Sequence, residues 1–261
     1  MISNKHSYRY EVITSKNGLF DNYIDVGYIL TMENSTRRND YMEQIKKYNP
    51  HSKIIIQHNK GFKKCTKQLY KQNTVHDLND AYYHVFLHAK SNNYNNILIF
   101  EDDFFFDNVK NKDIHEIGMF ITNNNYHIYN LGPIINIGIN KTLYHKISFI
   151  MTSTHGVAYN KLYFDYYINH YNKQNSDLGC DEIWADIYLK KYSYYKPICF
   201  QLCPLTDNLK NWSLYWLCVH LIKITKLDKS HKAYYKLTSC FTFTSYIIVL
   251  FVLYYIFYIS K

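Results

Sequence analysis

The chain has 261 residues, which is enough for one sizeable α/β domain, alone or with an appendage. Its formal net charge is +9, but Tyr, Asn, Lys and Ile are abundant throughout, which indicates a codon bias, and no nucleic-acid-binding motif accompanies the basic charge. Nucleic acid is therefore not expected as a partner, whereas an anionic nucleotide or a membrane surface suits the charge, and six cysteines without zinc-site spacing predict free thiols in a reducing compartment.

The first hundred residues alternate between strands and helices. Residues 1–23 are polar, lack a signal-peptide pattern and are expected to hold an extra strand or to form a loose arm. The elements expected next are a strand at 24–31, a helix capped at 34–36 and ending at 48, a strand at 53–57, a helix from Thr74 to about 91 with Asp77 completing a capping box, and a strand at 96–100. This alternation predicts a parallel sheet that binds its ligand at the carboxyl ends of the strands.

Three adjacent carboxylates, Glu101, Asp102 and Asp103, end the third of these core strands. Three negative charges in one turn repel each other and lose hydration unless a positive charge lies among them. Mn²⁺ or Mg²⁺ carrying a phosphate ligand would supply that charge, since both ions prefer oxygen ligands. A solvated acidic turn is the alternative interpretation.

Two of the three arginines in the chain, Arg37 and Arg38, fall at the start of the first predicted helix. Cations are disfavoured at the positive end of a helix dipole, and a bound anion would remove that conflict. Since Arg binds phosphate in a bidentate manner, we expect one of the two to contact a diphosphate. The alternative is that both side chains face solvent.

The second half of the chain also predicts strands and helices, followed by an apolar C-terminal segment. The expected elements are a helix at 113–121, strands at 126–131, 134–139, 146–151 and 154–159, a helix at 161–171, a helix from an Asp181 N-cap to 190, a strand at 194–201 and an amphipathic, aromatic segment at 211–226 that leads to the membrane surface.

Residues 237–260 contain no charged side chain and follow a group of lysines. About 20 apolar residues span a bilayer as a helix, and positive flanks stay on the cytoplasmic side. The sequence therefore predicts a tail anchor, with a cytosolic catalytic domain at 24–210, a basic linker at 211–236 and an N-terminal arm at 1–23. The alternative is a buried C-terminal helix or strand of the core.

Five segments occur in a characteristic order and spacing. They are Tyr-Ile-Leu at 28–30 with Arg37 and Arg38, Ile-Leu-Ile-Phe-Glu-Asp-Asp at 97–103, Ile-Tyr-Asn-Leu-Gly at 128–132, His-Gly-Val-Ala-Tyr at 155–159 and Asp-Glu-Ile at 181–183. Together they resemble glycosyltransferase family 25, which includes bacterial lipooligosaccharide galactosyltransferases and animal collagen galactosyltransferases. The similar segments cover about 25–204, and one segment departs from the family, since 77–84 lacks its Gly-Cys-x-x-Ser-His pattern.

The resemblance implies a GT-A-like fold, a Rossmann-type mixed sheet flanked by helices. It implies inverting transfer of a sugar, galactose by default, from a UDP-sugar to a hydroxyl of a glycan, protein or lipid acceptor. Glu101 and Asp103 would hold the metal, and Asp102, Arg37 and Arg38 would contact the donor. Asp181 is the first candidate for the general base, Glu182 the second and Asp177 the third.

Three other functions compete with this one. A metal-dependent nucleotidyltransferase or phosphotransferase would need further paired acids on a neighbouring strand, and the sequence shows none. A catalytically inactive, membrane-anchored binding or scaffold protein could keep the same fold without turnover. A plain α/β protein with surface acids would bind no nucleotide in a metal-dependent way.

Overall fold

The structure is a computed structural model that describes residues 7–172, 184, 186–201, 215–227 and 231–259. Helices and strands alternate along most of this part of the chain. The helices are α1 (Arg38–Tyr48), α2 (Thr74–Ser91), α3 (Asn111–Asn123), α4 (Lys161–Asn172), α5 (Tyr215–Thr225) and α6 (His231–Ile259). The strands are β1 (Tyr8–Thr14), β2 (Val26–Met32), β3 (Lys53–Asn59), β4 (Asn96–Glu101), β5 (Phe104–Phe106), β6 (Ile128–Asn130), β7 (Asn136–Asn140), β8 (His145–Met151), β9 (Gly156–Asn160), β10 (Lys191–Tyr194) and β11 (Cys199–Gln201).

A large mixed sheet forms the centre of the molecule. Its strand order over the described residues is β1-β3-β2-β4-β9-β6-β10-β8-β7, and β11 pairs with β5 in a small second sheet. β3, β2 and β4 are parallel neighbours, while β9 runs antiparallel between β4 and β6. The carboxyl ends of β2, β3 and β4 therefore meet at one edge, as the alternation in the sequence predicts.

Helices cover both faces of this sheet. β2 and β4 are buried along almost their whole length, and consecutive residues of each strand join opposite cores. Ile29 packs with Tyr41 and Ile45 of α1 and with residues of α3 on one face. Tyr28 packs on the other face with residues of α2 and α4. The chain is thus a three-layer α/β structure around its parallel strands.

The polar N-terminal segment holds an extra strand, one of the two expected alternatives, because β1 pairs with β3 along its whole length. Two predicted boundaries further along the chain are wrong. The strand expected at 194–201 is two strands in different sheets, β10 and β11. The described end of the helix expected up to 190 is a turn, in which Asp186 accepts a hydrogen bond from the backbone of Tyr188.

Two predicted N-caps are also wrong. α1 begins after Arg37 with no side-chain cap, because Ser35 instead donates to Asp102. α2 is capped by Asn73, which accepts from the backbone of His76, and not by Thr74. The carboxylate of Asp77 does not complete the expected capping box, since it accepts hydrogen bonds from the backbone of Phe62 and from Lys67. Both changes bring polar side chains to the same edge of the sheet.

The C-terminal helix α6 is long and apolar enough to cross a membrane over Lys232–Ile256. A core helix of a soluble protein passes the same test, but only 11% of the most apolar window is buried here. The first half of α6 nevertheless packs on the sheet, where Thr238, Thr242 and Ser245 are buried. The described cysteines Cys65, Cys199 and Cys240 are free thiols, as expected.

Candidate functional site

A cavity of about 490 Å³ opens at the carboxyl ends of β2, β3 and β4. Small-molecule sites commonly enclose about 300–1,000 Å³, so a nucleotide or a sugar nucleotide is of the right size. The acids Glu101, Asp102 and Asp103 form one wall. The loop after β3 brings Lys60 and Lys64 to a second, basic wall, and Arg37, the residue before α1, lines the cavity as well.

Asp102 is the most fully engaged of the three acids. Its Oδ1 accepts from Arg37 Nη1 at 2.6 Å, and its Oδ2 accepts from the hydroxyls of Thr31 at 2.8 Å and Ser35 at 2.7 Å. These partners come from the end of β2, from the loop after it and from the residue before α1. Asp102 therefore fixes the backbone around the cavity and has little capacity left for a ligand.

The other two acids, Glu101 and Asp103, have raised pKa values. Burial raises the pKa of Glu101, and the nearby charge of Asp103 raises it further. Burial also raises the pKa of Asp103, and the charge of Asp102 raises it further. A hydrogen bond from Gln201 lowers it in part. Thr154 donates its hydroxyl hydrogen to Glu101 Oε1, and the hydroxyl of Tyr82 lies 3.2 Å from the same oxygen. Glu101 thus has no cationic partner among the described residues, and Asp103 has only the Arg37 guanidinium, 3.8 Å away.

A divalent cation would neutralise the negative charge of these two carboxylates. Asp103 is 3% exposed, and its Oδ1 is buried without a hydrogen-bond partner among the described residues. No group of three or more His, Cys, Asp and Glu side chains arranged to hold a metal occurs in the described ranges. Mg²⁺ is usually bound by one or two carboxylates with water and substrate phosphates as its other ligands. Glu101 and Asp103 could therefore hold an ion that shares its coordination with a phosphate.

The basic wall of the cavity is fixed by a buried lysine. Lys67 Nζ donates to Asn59 Oδ1 at 2.7 Å, to Asp77 Oδ1 at 2.5 Å and to the hydroxyl of Tyr8 at 2.7 Å. Its side chain is 0% exposed. Asp80 lies 3.6 Å away and accepts from Tyr8. This network ties β1, β3 and α2 together beneath the loop that carries Lys60 and Lys64.

That loop turns at Gly61, whose φ of +81° is unfavourable for residues with a side chain. The backbone N–H of Gly61 donates to Asn59 Oδ1 at 2.8 Å. A Cβ atom at Gly61 would lie 2.6 Å from Met32 Cε. Glycine thus allows the loop to turn back over the cavity.

Gln57 on β3 offers a buried acceptor at the cavity. Its Nε2 donates to the backbone carbonyl of Ala81 at 3.2 Å and to the Tyr10 hydroxyl at 3.1 Å. Since a carbonyl can only accept, the amide orientation is fixed, and Oε1 is the free atom. This oxygen is buried without a partner among the described residues. A ligand with an N–H or O–H donor would satisfy it.

The structure separates the two arginines that the sequence places together. Arg37 lines the cavity, whereas Arg38 pairs with Glu11 of β1 at 2.6 Å and does not line it. Asp177, Asp181 and Glu182, the candidates for the base, lie outside the described residues.

Sequence reasoning missed Gln57, Lys60, Gly61 and Lys67. The position of the first three at the end of the second core strand, on the same sheet edge as the acids, is a signal that could have identified them. No comparable signal marks Lys67, because its acidic partners are recognisable only in the folded chain.

Comparison with known proteins adds little to these observations. No family model matches the chain. No curated protein matches it either. Among solved structures, the chain is similar to the protein A197 from STIV, with a TM-score of 0.41 and 8% sequence identity over 70% of this chain and 86% of that chain. A similarity at this level carries no argument about function.

Proposed function

We propose that the chain is a metal-dependent glycosyltransferase with a GT-A-like fold. It moves a sugar, galactose by default, from a UDP-sugar to a hydroxyl of a glycan, protein or lipid acceptor. The observation that carries the proposal is the pair of carboxyl groups of Glu101 and Asp103, whose pKa values are raised by burial, in a nucleotide-sized cavity that Arg37, Lys60 and Lys64 also line. The sequence resemblance to glycosyltransferase family 25 selects the reaction from among those that such a site permits.

Each wall of the cavity suits one part of a UDP-sugar. Arg37, Lys60 and Lys64 supply charge for a diphosphate. Gln57 Oε1 accepts a hydrogen bond from a donor such as the uracil N–H. Glu101 and Asp103 would hold Mn²⁺ or Mg²⁺ at the phosphates, where such an ion stabilises charge on the departing diphosphate.

The residues of this chain would carry the rest of the reaction. The acceptor oxygen forms a bond to the anomeric carbon, the bond from that carbon to the phosphate oxygen breaks, and UDP leaves with the electron pair. The acceptor proton passes to a carboxylate, for which Asp181 is the first candidate and Glu182 the second. Attack from the face opposite to the leaving group inverts the anomeric centre.

We further propose that α6 attaches the enzyme to a membrane, with the catalytic domain on the cytosolic side. The support is the apolar and exposed run that begins near Tyr246, together with the lysines that precede it, Lys223, Lys226, Lys232 and Lys236. A lipid-linked or membrane-bound glycan is then an accessible acceptor.

The test is a binding and turnover measurement on the full chain in detergent. Affinity for UDP, UDP-galactose and other UDP-sugars is measured with and without Mn²⁺, and release of UDP is followed with hydroxyl acceptors. Mn²⁺-dependent binding that is lost in Asp103→Asn and kept in Asp165→Asn supports the proposal. Asp165 is the control because it is an exposed residue of α4, paired with Lys90 of α2, and does not line the cavity.

Two results would contradict this function. Binding of UDP-sugars without release of UDP for any acceptor or water would favour the inactive scaffold on the same fold. Equal affinity with and without Mn²⁺ would exclude a metal role for Glu101 and Asp103.

A further inference from the structure

The helix α6 has two halves with different surroundings. In its first half, Thr242 Oγ1 accepts from Lys146 Nζ at 2.7 Å and Ser245 Oγ accepts from the backbone of Gly138 at 3.0 Å. The hydroxyl of Tyr246 accepts from the backbone of Asn140 at 3.0 Å. These contacts fix the first half of α6 to β7 and β8, so this half belongs to the folded domain.

The second half of α6 is apolar and exposed on every side. The consecutive residues Leu250, Phe251, Val252 and Leu253 are 66%, 68%, 48% and 45% exposed. Consecutive residues of a helix point about 100° apart, so these four side chains together surround the axis. A protein groove would cover one side of such a helix, whereas lipid chains surround it completely. The expected partner is therefore the hydrocarbon region of a bilayer.

The docked half of α6 fixes where the helix can enter that region. Residues before Ile247 could enter the bilayer only by breaking their contacts with Gly138, Asn140 and Lys146. The bilayer surface is therefore expected near the start of the free half, Ile247–Ile259.

The free half leaves the domain beside the turn between β7 and β8. The start of α6 packs near Ile134, and Ser245 and Tyr246 reach Gly138 and Asn140, so α6 runs in the direction of β7. The turn that follows β7 exposes Leu143 to 78%. Lys141 is exposed in the same turn, and Lys112 Nζ lies 3.0 Å from the hydroxyl of Tyr144. An apolar tip with flanking lysines is complementary to an anionic lipid interface.

We propose that the β7–β8 turn, residues 141–144, lies in the headgroup region of the bilayer and that α6 enters the membrane only from about Ile247 onward. The sheet domain is then held against the membrane surface, and the docked half of α6 sets its distance and tilt. This proposal rests on the membrane attachment proposed above, but it differs from a tail anchor at 237–260 that crosses the bilayer on a free linker.

The test uses the full chain reconstituted into vesicles of phosphatidylcholine and phosphatidylserine. An environment-sensitive fluorescent amino acid replaces Leu143, Phe251 or Leu162 in three separate variants. Leu162 is the matched control, because it is an exposed leucine on α4. The expected result is a blue shift on vesicle binding for the probes at 143 and 251, with quenching by lipids brominated near the headgroup for 143 and deep in the chains for 251. The probe at 162 keeps its spectrum.

Two other results would overturn the proposal, and they differ from each other. A blue shift at 251 without one at 143 means that α6 inserts while the domain stands away from the surface. No shift at either position means that the chain does not attach to the bilayer through α6, and then the membrane attachment itself is wrong. Neither result bears on UDP-sugar binding, which the detergent experiment measures separately.

Discussion

Arg37 Nη1 lies 2.6 Å from Asp102 Oδ1 and 3.8 Å from Asp103 Oδ2, so one guanidinium group serves two of the three adjacent acids. The side chains of Arg37 and Asp102 are 23% and 11% exposed, and the pair is therefore only partly screened by water. This ion pair connects the start of α1 to the end of β4 across the mouth of the cavity. It balances Asp102 while leaving Glu101 without a cationic partner among the described residues.

The two neighbouring arginines should therefore differ in their effect on ligand binding. Arg37→Ala removes a charged hydrogen-bond donor from the cavity, and such bonds are worth about 1.5–3 kcal/mol. We expect affinity for UDP in the presence of Mn²⁺ to fall by a factor of about 10–100, as that energy implies. Arg38→Ala breaks the surface pair with Glu11 and should leave affinity nearly unchanged. Titration calorimetry on both variants measures the difference, and equal losses would contradict the assignment.

The raised pKa values of Glu101 and Asp103 predict how stability depends on pH. In the folded chain these groups hold protons at pH values where the unfolded chain has lost them. Burial raises both pKa values, and the charge of Asp103 adds to the effect at Glu101, as that of Asp102 does at Asp103. Stability without metal should therefore fall as pH rises from the ordinary carboxyl range, near 4, towards neutral. If the pair holds the proposed metal ion, Mn²⁺ should oppose this fall, since the ion would bind the ionised carboxylates.

Denaturant unfolding of the full chain in detergent at several pH values, with and without Mn²⁺, measures this dependence. Asp103→Asn removes one member of the pair and should flatten the decline with pH. A decline of the same size in Asp103→Asn and in the unchanged chain would assign the effect to other groups.

The buried lysine predicts a large loss of stability on substitution. Lys67→Met leaves Asp77 and Asp80 in the interior without their cation, and breaking a buried pair in this way costs about 3–5 kcal/mol. Lys90→Met is the matched control, because its pair with Asp165 is more than half exposed and such pairs contribute about 0–1 kcal/mol. Denaturant unfolding measures the free energy of unfolding of the two variants. Similar losses in both would show that the Lys67 network does not stabilise the fold.

Gly61→Ala tests the loop that carries the basic wall. A non-glycine residue in the left-handed region costs about 1–2 kcal/mol, and the new methyl group would also press on Met32. We expect a moderate loss of stability and weaker UDP binding, because Lys60 and Lys64 would shift. Gly27→Ala is the control, since its nearest neighbour would lie at an ordinary 3.4 Å. Melting temperature and affinity, measured together, separate a local shift of the loop from general unfolding.

Much of the central sheet could be predicted from the sequence. Strands expected at 24–31, 53–57 and 96–100 correspond to β2, β3 and β4, and the edge where they end holds the acids. These strands are short apolar runs between helices of regular period, so local pattern is enough to place them. The prediction of an α/β sheet flanked by helices is confirmed. The GT-A-like assignment, the UDP-sugar and the metal stay predictions.

Pairings between distant segments could not be predicted in this way. Arg37 and Arg38 are adjacent and chemically identical, yet one faces Asp102 and the other faces Glu11, because β1 adds to the sheet beside α1. Asp77 fits a capping box by local pattern, but a buried lysine ten positions earlier competes for it. The apolar stretch at 237–260 is evident from composition, while the docking of its first half depends on Gly138, Asn140 and Lys146, about a hundred residues away.

Sequence by itself thus determined the elements whose stability depends on nearby residues, namely the core strands, the main helices and the acidic turn. Only the tertiary structure decided which charges neutralise each other and which stay available to a ligand. The physical reason is that a charge in water needs no particular partner, whereas a buried charge must find one. Which partner it finds depends on how the sheet brings distant residues such as Arg37 and Asp102 together.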